Sequence, residues 1–181
     1  MLGEAINQQE FIAHIRQHLD ETEIKTIFEI GSLNGLDARI LQAEFPLAQV
    51  YAFEAHPDEY RAYIKENSKI NWINLAVYTH NGTISFHSKA LGAGIHSIRD
   101  RGFAFGTEVL TVSCIRVDTF CERIHISNLD VIKIDVEGCT YEVLESFGDM
   151  LQNTKIMHIE TETVPYFENQ LLEPEVFAFL L

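Results

Sequence analysis

The stretch Asp130-Val131-Ile132-Lys133-Ile134-Asp135-Val136-Glu137-Gly138 sets a lysine among β-branched residues and closes on two carboxylates and a glycine. A strand covered on both faces should be almost wholly apolar, so charge inside it needs a reason. Alternation puts Val131, Lys133 and Asp135 on one face and Ile132, Ile134 and Val136 on the other. Two readings stand. Lys133 and Asp135 form a structural ion pair, because a buried charge must be paired. Alternatively, Asp135 meets a cationic ligand or orients a nucleophile at the carboxyl end of the strand, where the ligand crevice of an open α/β sheet lies.

Two further segments point to a ligand. Phe28-Glu29-Ile30-Gly31-Ser32-Leu33-Asn34-Gly35 reads as a strand turning through glycines into a helix. Glycine lets the backbone pass close to a ligand and the helix start offers free N–H groups, although a plain tight turn has the same pattern. Glu54 closes the next strand, in Val50-Tyr51-Ala52-Phe53-Glu54-Ala55-His56-Pro57, 23 residues after Gly31. An acid roughly 20 residues beyond a glycine turn is placed to accept both hydroxyls of a ribose, or else merely caps a helix. Together the two segments indicate a nucleoside ligand. A dinucleotide is disfavoured, because Leu33 occupies the place of the middle glycine that a pyrophosphate requires.

Lesser candidates are His96, in Gly92-Ala-Gly-Ile-His96-Ser97, and the pair His158 and Glu160 on one face of a later strand. His56, before Pro57, reads as a turn residue. The pattern His158-Ile-Glu160-Thr-Glu162 is too extended, and too short of further ligands, to predict a metal. No Ser-His-Asp or Cys-His arrangement can be drawn.

The elements that must position these residues alternate. Phe11, Ile12, Ile15 and Leu19 have helical spacing over residues 8–19. Strands are expected at 26–30, 49–53 and 73–78, separated by helices over 36–45 and 58–68. Residues 83–87, after an Asn81-Gly82 turn, and 109–115 show strand alternation, with a glycine-rich loop over 90–106 between them. A strand over 130–135, a helix over 140–151, a strand over 155–160 and a helix from 173 complete the order. This predicts one α/β domain over residues 1–181, a doubly wound, mostly parallel sheet with right-handed crossovers. The apolar, uncapped end at 181 suggests that C-terminal elements are missing.

Composition excludes several classes. Twenty-seven acids against 13 lysines and arginines leave a net charge of −14, which disfavours nucleic acid as a partner. No apolar run approaches the ~20 residues of a membrane span. Met1-Leu-Gly-Glu lacks the features of a signal peptide, and three cysteines without a CxxC pair read as free thiols, so a cytoplasmic protein is expected.

Taken in order, FEIGSLNG (28–35), VYAFEAHP (50–57), INLAVY (73–78) and DVIKIDVEG (130–138), the last followed by a helix containing VLE, resemble the FkbM family of S-adenosylmethionine-dependent methyltransferases. The resemblance spans about residues 26–160 and implies a Rossmann-like class I methyltransferase fold. It also implies O-methylation of a hydroxyl on a sugar or other small natural product. Carried over residue by residue, it puts Glu29 and Gly31 beside the methionine moiety of the donor, with Ser32 and Asn34 in the same turn. Glu54, followed by Ala55, takes the ribose, and Leu75 and Ala76 border the adenine. Asp135 lies beside the methyl donor, with Glu137 and Gly138 completing that motif. In the family an asparagine usually stands two places after the first glycine; here Leu33 stands there and Asn34 follows.

The donor carries no phosphate, so few glycines and an acidic crevice suit it. Asp135 is the expected general base, assisted by Glu137 or His158. Two other classes remain for comparison. A nicotinamide-dependent oxidoreductase would need the full glycine fingerprint and a Tyr-x-x-x-Lys or equivalent, and neither is present. A non-catalytic module would keep the nucleoside pocket and lack an acceptor site.

Overall fold

In the computed structural model, which describes residues 7–63, 69–102 and 108–181, strands and helices alternate. They are α1 (Gln8–His18), β1 (Thr26–Ile30), α2 (Leu36–Glu44), β2 (Gln49–Phe53), α3 (Pro57–Tyr63), β3 (Asn71–Ile73), β4 (Ala76–Val77), β5 (Gly82–Ser88) and β6 (Glu108–Ile115). There follow α4 (Val117–Arg123), β7 (Leu129–Ile134), α5 (Thr140–Glu145), a 3₁₀ turn over Gly148–Asn153, β8 (Thr154–Ile159) and α6 (Glu173–Leu180).

Five strands form a parallel sheet in the order β3-β2-β1-β7-β8. The order reverses direction between β1 and β7, which makes their carboxyl ends the switch point of the sheet. Both faces are covered. Phe11, Ile12 and Ile15 of α1 and Ala38 and Leu41 of α2 pack on Ile27, Val50 and Val131. Val117 and Cys121 of α4, Val143 and Leu144 of α5 and Val176 of α6 pack on Phe28, Ile132 and Ile134 on the other side. Each such side chain, fully withdrawn from water, contributes about 1.5–3 kcal/mol, which is why β7 is buried along its whole length. Asp130 is tolerated there because it accepts from the Lys25 and Thr26 amides, at 2.7 and 2.9 Å, and pairs with Lys155 at 2.7 Å.

A smaller sheet, β4-β6-β5, carries one parallel and one antiparallel pairing and a core of Ala76, Phe86, Val112 and Cys114. The strand expected over 73–78 is therefore two strands in two sheets. Asn74 divides them: its side-chain amide donates to the carbonyls of Glu54 (2.7 Å) and Ala55 (3.3 Å), and the chain leaves the main sheet at that point.

The helix expected over 140–151 is also divided. It stops at Glu145, and Gly148, with φ +53°, turns the chain into the 3₁₀ segment. Helix α4 was not anticipated; its signal is the spacing of Val117 and Cys121, the two residues it buries. Residues 64–68 of the helix expected over 58–68, and residues 103–106 of the loop expected over 90–106, lie outside the described residues. Among the described residues, no helix is long and apolar enough to cross a membrane.

Candidate active site

Parallel register aligns Ile30 with Phe53 and Ile134, Phe53 with Ile73, and Ile134 with Ile159. The next residue on each strand falls in the same row, so Asn74, Glu54, Gly31, Asp135 and Glu160 stand side by side at the carboxyl edge. The backbone ladder extends to meet them. Glu54 and Gly31 donate to the carbonyls of Ile73 and Phe53, each at 3.0 Å. Asp135 and Glu160 donate to those of Ile30 and Ile134, each at 2.9 Å.

Above this row lies a cavity of about 270 Å³, close to the lower end of small-molecule sites. Its apolar end is built by Phe53, Ala55, Leu75, Ala76, Val77 and Phe86; its acidic end by Asp135, Glu137 and Glu160; Glu54 and Gly31 lie between them in the row. Gly31 has φ +88°, and a Cβ there would enter the Asp135 carbonyl group, 2.8 Å from its carbon. The glycine thus lets the turn after β1 lie directly against the end of β7.

Glu54 is 6% exposed. One carboxyl oxygen accepts from the Leu33 amide at 2.6 Å and the other from the His56 amide at 2.7 Å, which fastens the glycine turn to the start of α3. Burial pushes this carboxyl up to about 7, and the two amides only partly oppose it. Burial, with Asp135 nearby, likewise raises Glu137 to about 7.

At the acidic end, Asp135, Glu137 and Glu160 each offer an oxygen within 4.8 Å of the others, close enough to feel one another's charge or surround a cationic group. The hydrogen bond to Asp135, then burial, raises Glu160. Asp135 itself is held below its ordinary range by that bond and by Lys133, against the effect of burial.

Glu29, Lys133 and His158 form a row behind the cavity wall, on the face covered by α1 and α2. Glu29 is 1% exposed, and burial pushes its carboxyl well above the ordinary range despite Lys133. His158 packs its ring on Phe11, with centroids 4.8 Å apart, and burial lowers its affinity for a proton. Burial alone would lower Lys133 too, but Asp135, Asp37 and Glu29 outweigh it and keep the ammonium charged.

Of the residues singled out from the sequence, Gly31, Glu54, Ala55, Leu75, Ala76, Asp135 and Glu137 line the cavity, together with His96 and Glu160. Glu29, Ser32, Asn34 and His158 do not. The Ser32 hydroxyl donates to the Phe53 carbonyl at 2.8 Å, and the exposed Asn34 accepts from the Leu36 amide at 2.9 Å, so both shape the turn. His96 presents its ring to the cavity while both nitrogens are engaged, by the Lys89 amide (3.0 Å) and by fully buried Glu59 (3.0 Å). It fastens the loop after β5 over the site. His56 starts α3, its Nδ1 accepting from the Asp58 amide at 3.1 Å, as a turn residue should. Lining residues that the sequence did not single out include Phe86 and Ile98, supplied by the small sheet and its loop.

The raised carboxyls make stability depend on pH. Glu54 and Glu137 bind their protons more tightly folded than unfolded. Their contribution is therefore complete below the ordinary 4.5 and is lost as pH rises through about 7. For buried Glu54 the difference is worth about 3 kcal/mol. Asp118 and Asp130 are held low and act in the opposite sense, losing their contribution only as pH falls below the ordinary 3.8. The ligand-free protein should melt highest near pH 5 and lose roughly 5–10 °C between about pH 5.5 and pH 8.5, with Glu54→Gln flattening the slope. Thermal melts at constant ionic strength test this; a melting temperature that holds or rises over that interval contradicts it.

The sequence matches the family described as Methyltransferase FkbM domain over residues 29–181. It is similar to the hexuronic acid methyltransferase AglP of Haloferax volcanii, 26% identical over 159 residues, and to the 2-O-methyltransferase NoeI of Sinorhizobium fredii, 24% identical over 162 residues. These stretches take in 84% and 80% of this chain but 62% and 66% of the two proteins. The chain thus spans just under two-thirds of the length of the curated relatives it matches.

Proposed function

The chain belongs to the FkbM methyltransferase family, and from that premise we propose that it methylates a hydroxyl of a sugar or other small natural product, with S-adenosylmethionine as the donor. One observation carries the reading. Glu54 and Asp135 flank Gly31 on adjacent parallel strands, at the switch point, and all three face one cavity. The names of the two relatives, one acting on a hexuronic acid and one a 2-O-methyltransferase, support a sugar hydroxyl as acceptor.

The residues present fit the donor. The apolar end, with Ala55, Leu75 and Ala76, suits an adenine, and Glu54 keeps lone pairs for ribose hydroxyls beside its two amide bonds. Gly31 lets the turn after β1 close directly on the end of β7, and the acidic end suits a sulfonium and an ammonium group. Glu29, Ser32 and Asn34 support the turn from behind. Bound there, S-adenosylmethionine would supply an electrophilic methyl group and leave as S-adenosylhomocysteine.

The chain's own part is positioning and proton transfer. Asp135, held ionised, accepts the acceptor's hydroxyl proton as its oxygen forms the new bond to carbon. Glu160 and Glu137 adjust the charge around that carboxylate, and His158 acts from behind through the same network.

Calorimetric titration with S-adenosylhomocysteine and with NAD tests the reading. Wild type should bind the first and not the second. Glu54→Ala should weaken binding about 100-fold, because two ribose hydrogen bonds to one carboxyl group are lost together. Absence of S-adenosylhomocysteine binding to wild type defeats the proposal. Binding without methyl transfer to any member of a sugar and natural-product panel would favour a non-catalytic module.

A further inference from the structure

Lys133 is 8% exposed, sits on a strand buried along its length, and does not line the cavity. Its ammonium nonetheless reaches two carboxylates on different elements, Asp37 of α2 at 2.9 Å and Asp135 at 3.1 Å. We infer that Lys133 is a positioning residue for methyl transfer, a buried clamp that holds the Asp135 carboxylate toward the cavity and ties it to the first turn of α2. The inference rests on the methyltransferase reading of the site.

Apolar packing does not by itself call for a lysine here: residues of α1, α2 and the adjoining strands cover that face, while buried Glu29 and His158 flank Lys133 on the neighbouring strands. Nor do the two acids need it in order to be solvated. The Asp37 and Asp135 side chains are 29% and 42% exposed, whereas that of Lys133 is 10% exposed. Of the three groups in direct contact the buried one is thus the cation, and what it contributes to Asp135 is direction.

Asp135 follows the last residue of β7, where the chain enters a turn with Glu137 at φ +50°. Its Oδ2 is held from behind by Lys133. The groups that bear on Lys133 are Asp37 from α2, Glu29 from β1 and Asp135 beyond β7. His158 of β8 faces it across the sheet, and Glu160 meets Asp135 from the other side. Without Lys133 the Asp135 carboxylate would be free to rotate and would face Glu160 and Glu137 with no compensating charge.

The test compares Lys133→Met, which keeps length and removes charge, with Asp37→Asn, which keeps the lysine and unties it from α2. Initial rates with S-adenosylmethionine and the best acceptor of the panel should show kcat reduced about 100-fold in Lys133→Met and about 10-fold in Asp37→Asn. S-adenosylhomocysteine affinity should change less than about threefold, and the acid limb of the kcat profile should move to higher pH in Lys133→Met. Carbon-13 NMR of the Asp135 carboxyl, which requires no turnover, should show it titrating at higher pH in Lys133→Met and no higher than wild type in Asp37→Asn, where the lysine keeps its charge and loses a competing anion.

Folded variants with wild-type kcat and an unchanged Asp135 titration would overturn the inference. So would parallel losses of kcat, donor affinity and melting temperature, which mark a merely structural lysine. A wild type that binds no S-adenosylhomocysteine would instead overturn the methyltransferase reading, and the carboxyl titration would still decide whether Lys133 controls Asp135.

Discussion

Asp135→Asn is expected to lower kcat by about 10²–10⁴-fold while the protein folds and still binds S-adenosylhomocysteine within about tenfold of wild type. Asparagine has the size of aspartate, so the contacts that shape the cavity persist. What disappears is the acceptor for the hydroxyl proton, which must leave as the new carbon–oxygen bond forms. Glu137→Gln and Glu160→Gln should each cost only about tenfold, since both act on the charge around Asp135 and neither shares its contact with Lys133. Initial-rate kinetics over the donor and acceptor, with calorimetry on each variant, separate these effects. Undiminished turnover in Asp135→Asn would place the base elsewhere.

Gly31→Ala should be the most damaging single-methyl change in the described part of the chain. The added carbon has no free space: it meets the Asp135 carbonyl, which is backbone at the end of the central strand, and the Val136 side chain at 3.3 Å. A φ of +88° adds strain for any residue with a Cβ. Together these predict a loss of about 3–5 kcal/mol and a fall in melting temperature of roughly 10–15 °C. The damage should also extend to function. Relief of the clash moves the end of β7, so kcat at a temperature where the variant remains folded should fall as well. Thermal melts and low-temperature rates check both parts; a variant that melts within about 2 °C of wild type contradicts the geometry.

The parts of the site that could be read in the sequence are those whose spacing or charge violates a local rule. Glu54 was visible because an acid ends an apolar strand at the right distance from a glycine turn. Asp135 was visible because charge has no place in a strand buried on both faces. Strand order then brought them together, as the alternation of strands and helices implied.

What stayed hidden depends on register and on long-range partners. Glu160 was noted beside His158. Its place next to Asp135 follows from the pairing of β7 with β8, which nothing local encodes. Asp37 looks like an ordinary acid in the first turn of a helix until Lys133 reaches it from another element. The split of residues 73–78 between two sheets is set by Asn74 bonding across to β2, so a continuous apolar pattern concealed a change of direction. His96 was a candidate by residue type, and only the fold shows both its nitrogens already engaged.

The departure of the chain from one sheet to another at Asn74 has a kinetic consequence. The floor of the cavity belongs to the five-stranded sheet, while Ala76, Val77, Phe86 and Ile98 come from the three-stranded sheet and the loop it carries. Among the described residues the core of the smaller sheet consists of four buried side chains, Ala76, Phe86, Val112 and Cys114, so it is expected to open at lower free energy than its neighbour. A donor seated in the seam would extend both cores at once and settle the smaller sheet before the second substrate arrives. On the proposed reading of the site, an ordered sequence is the expected result, with donor first on and its demethylated product last off.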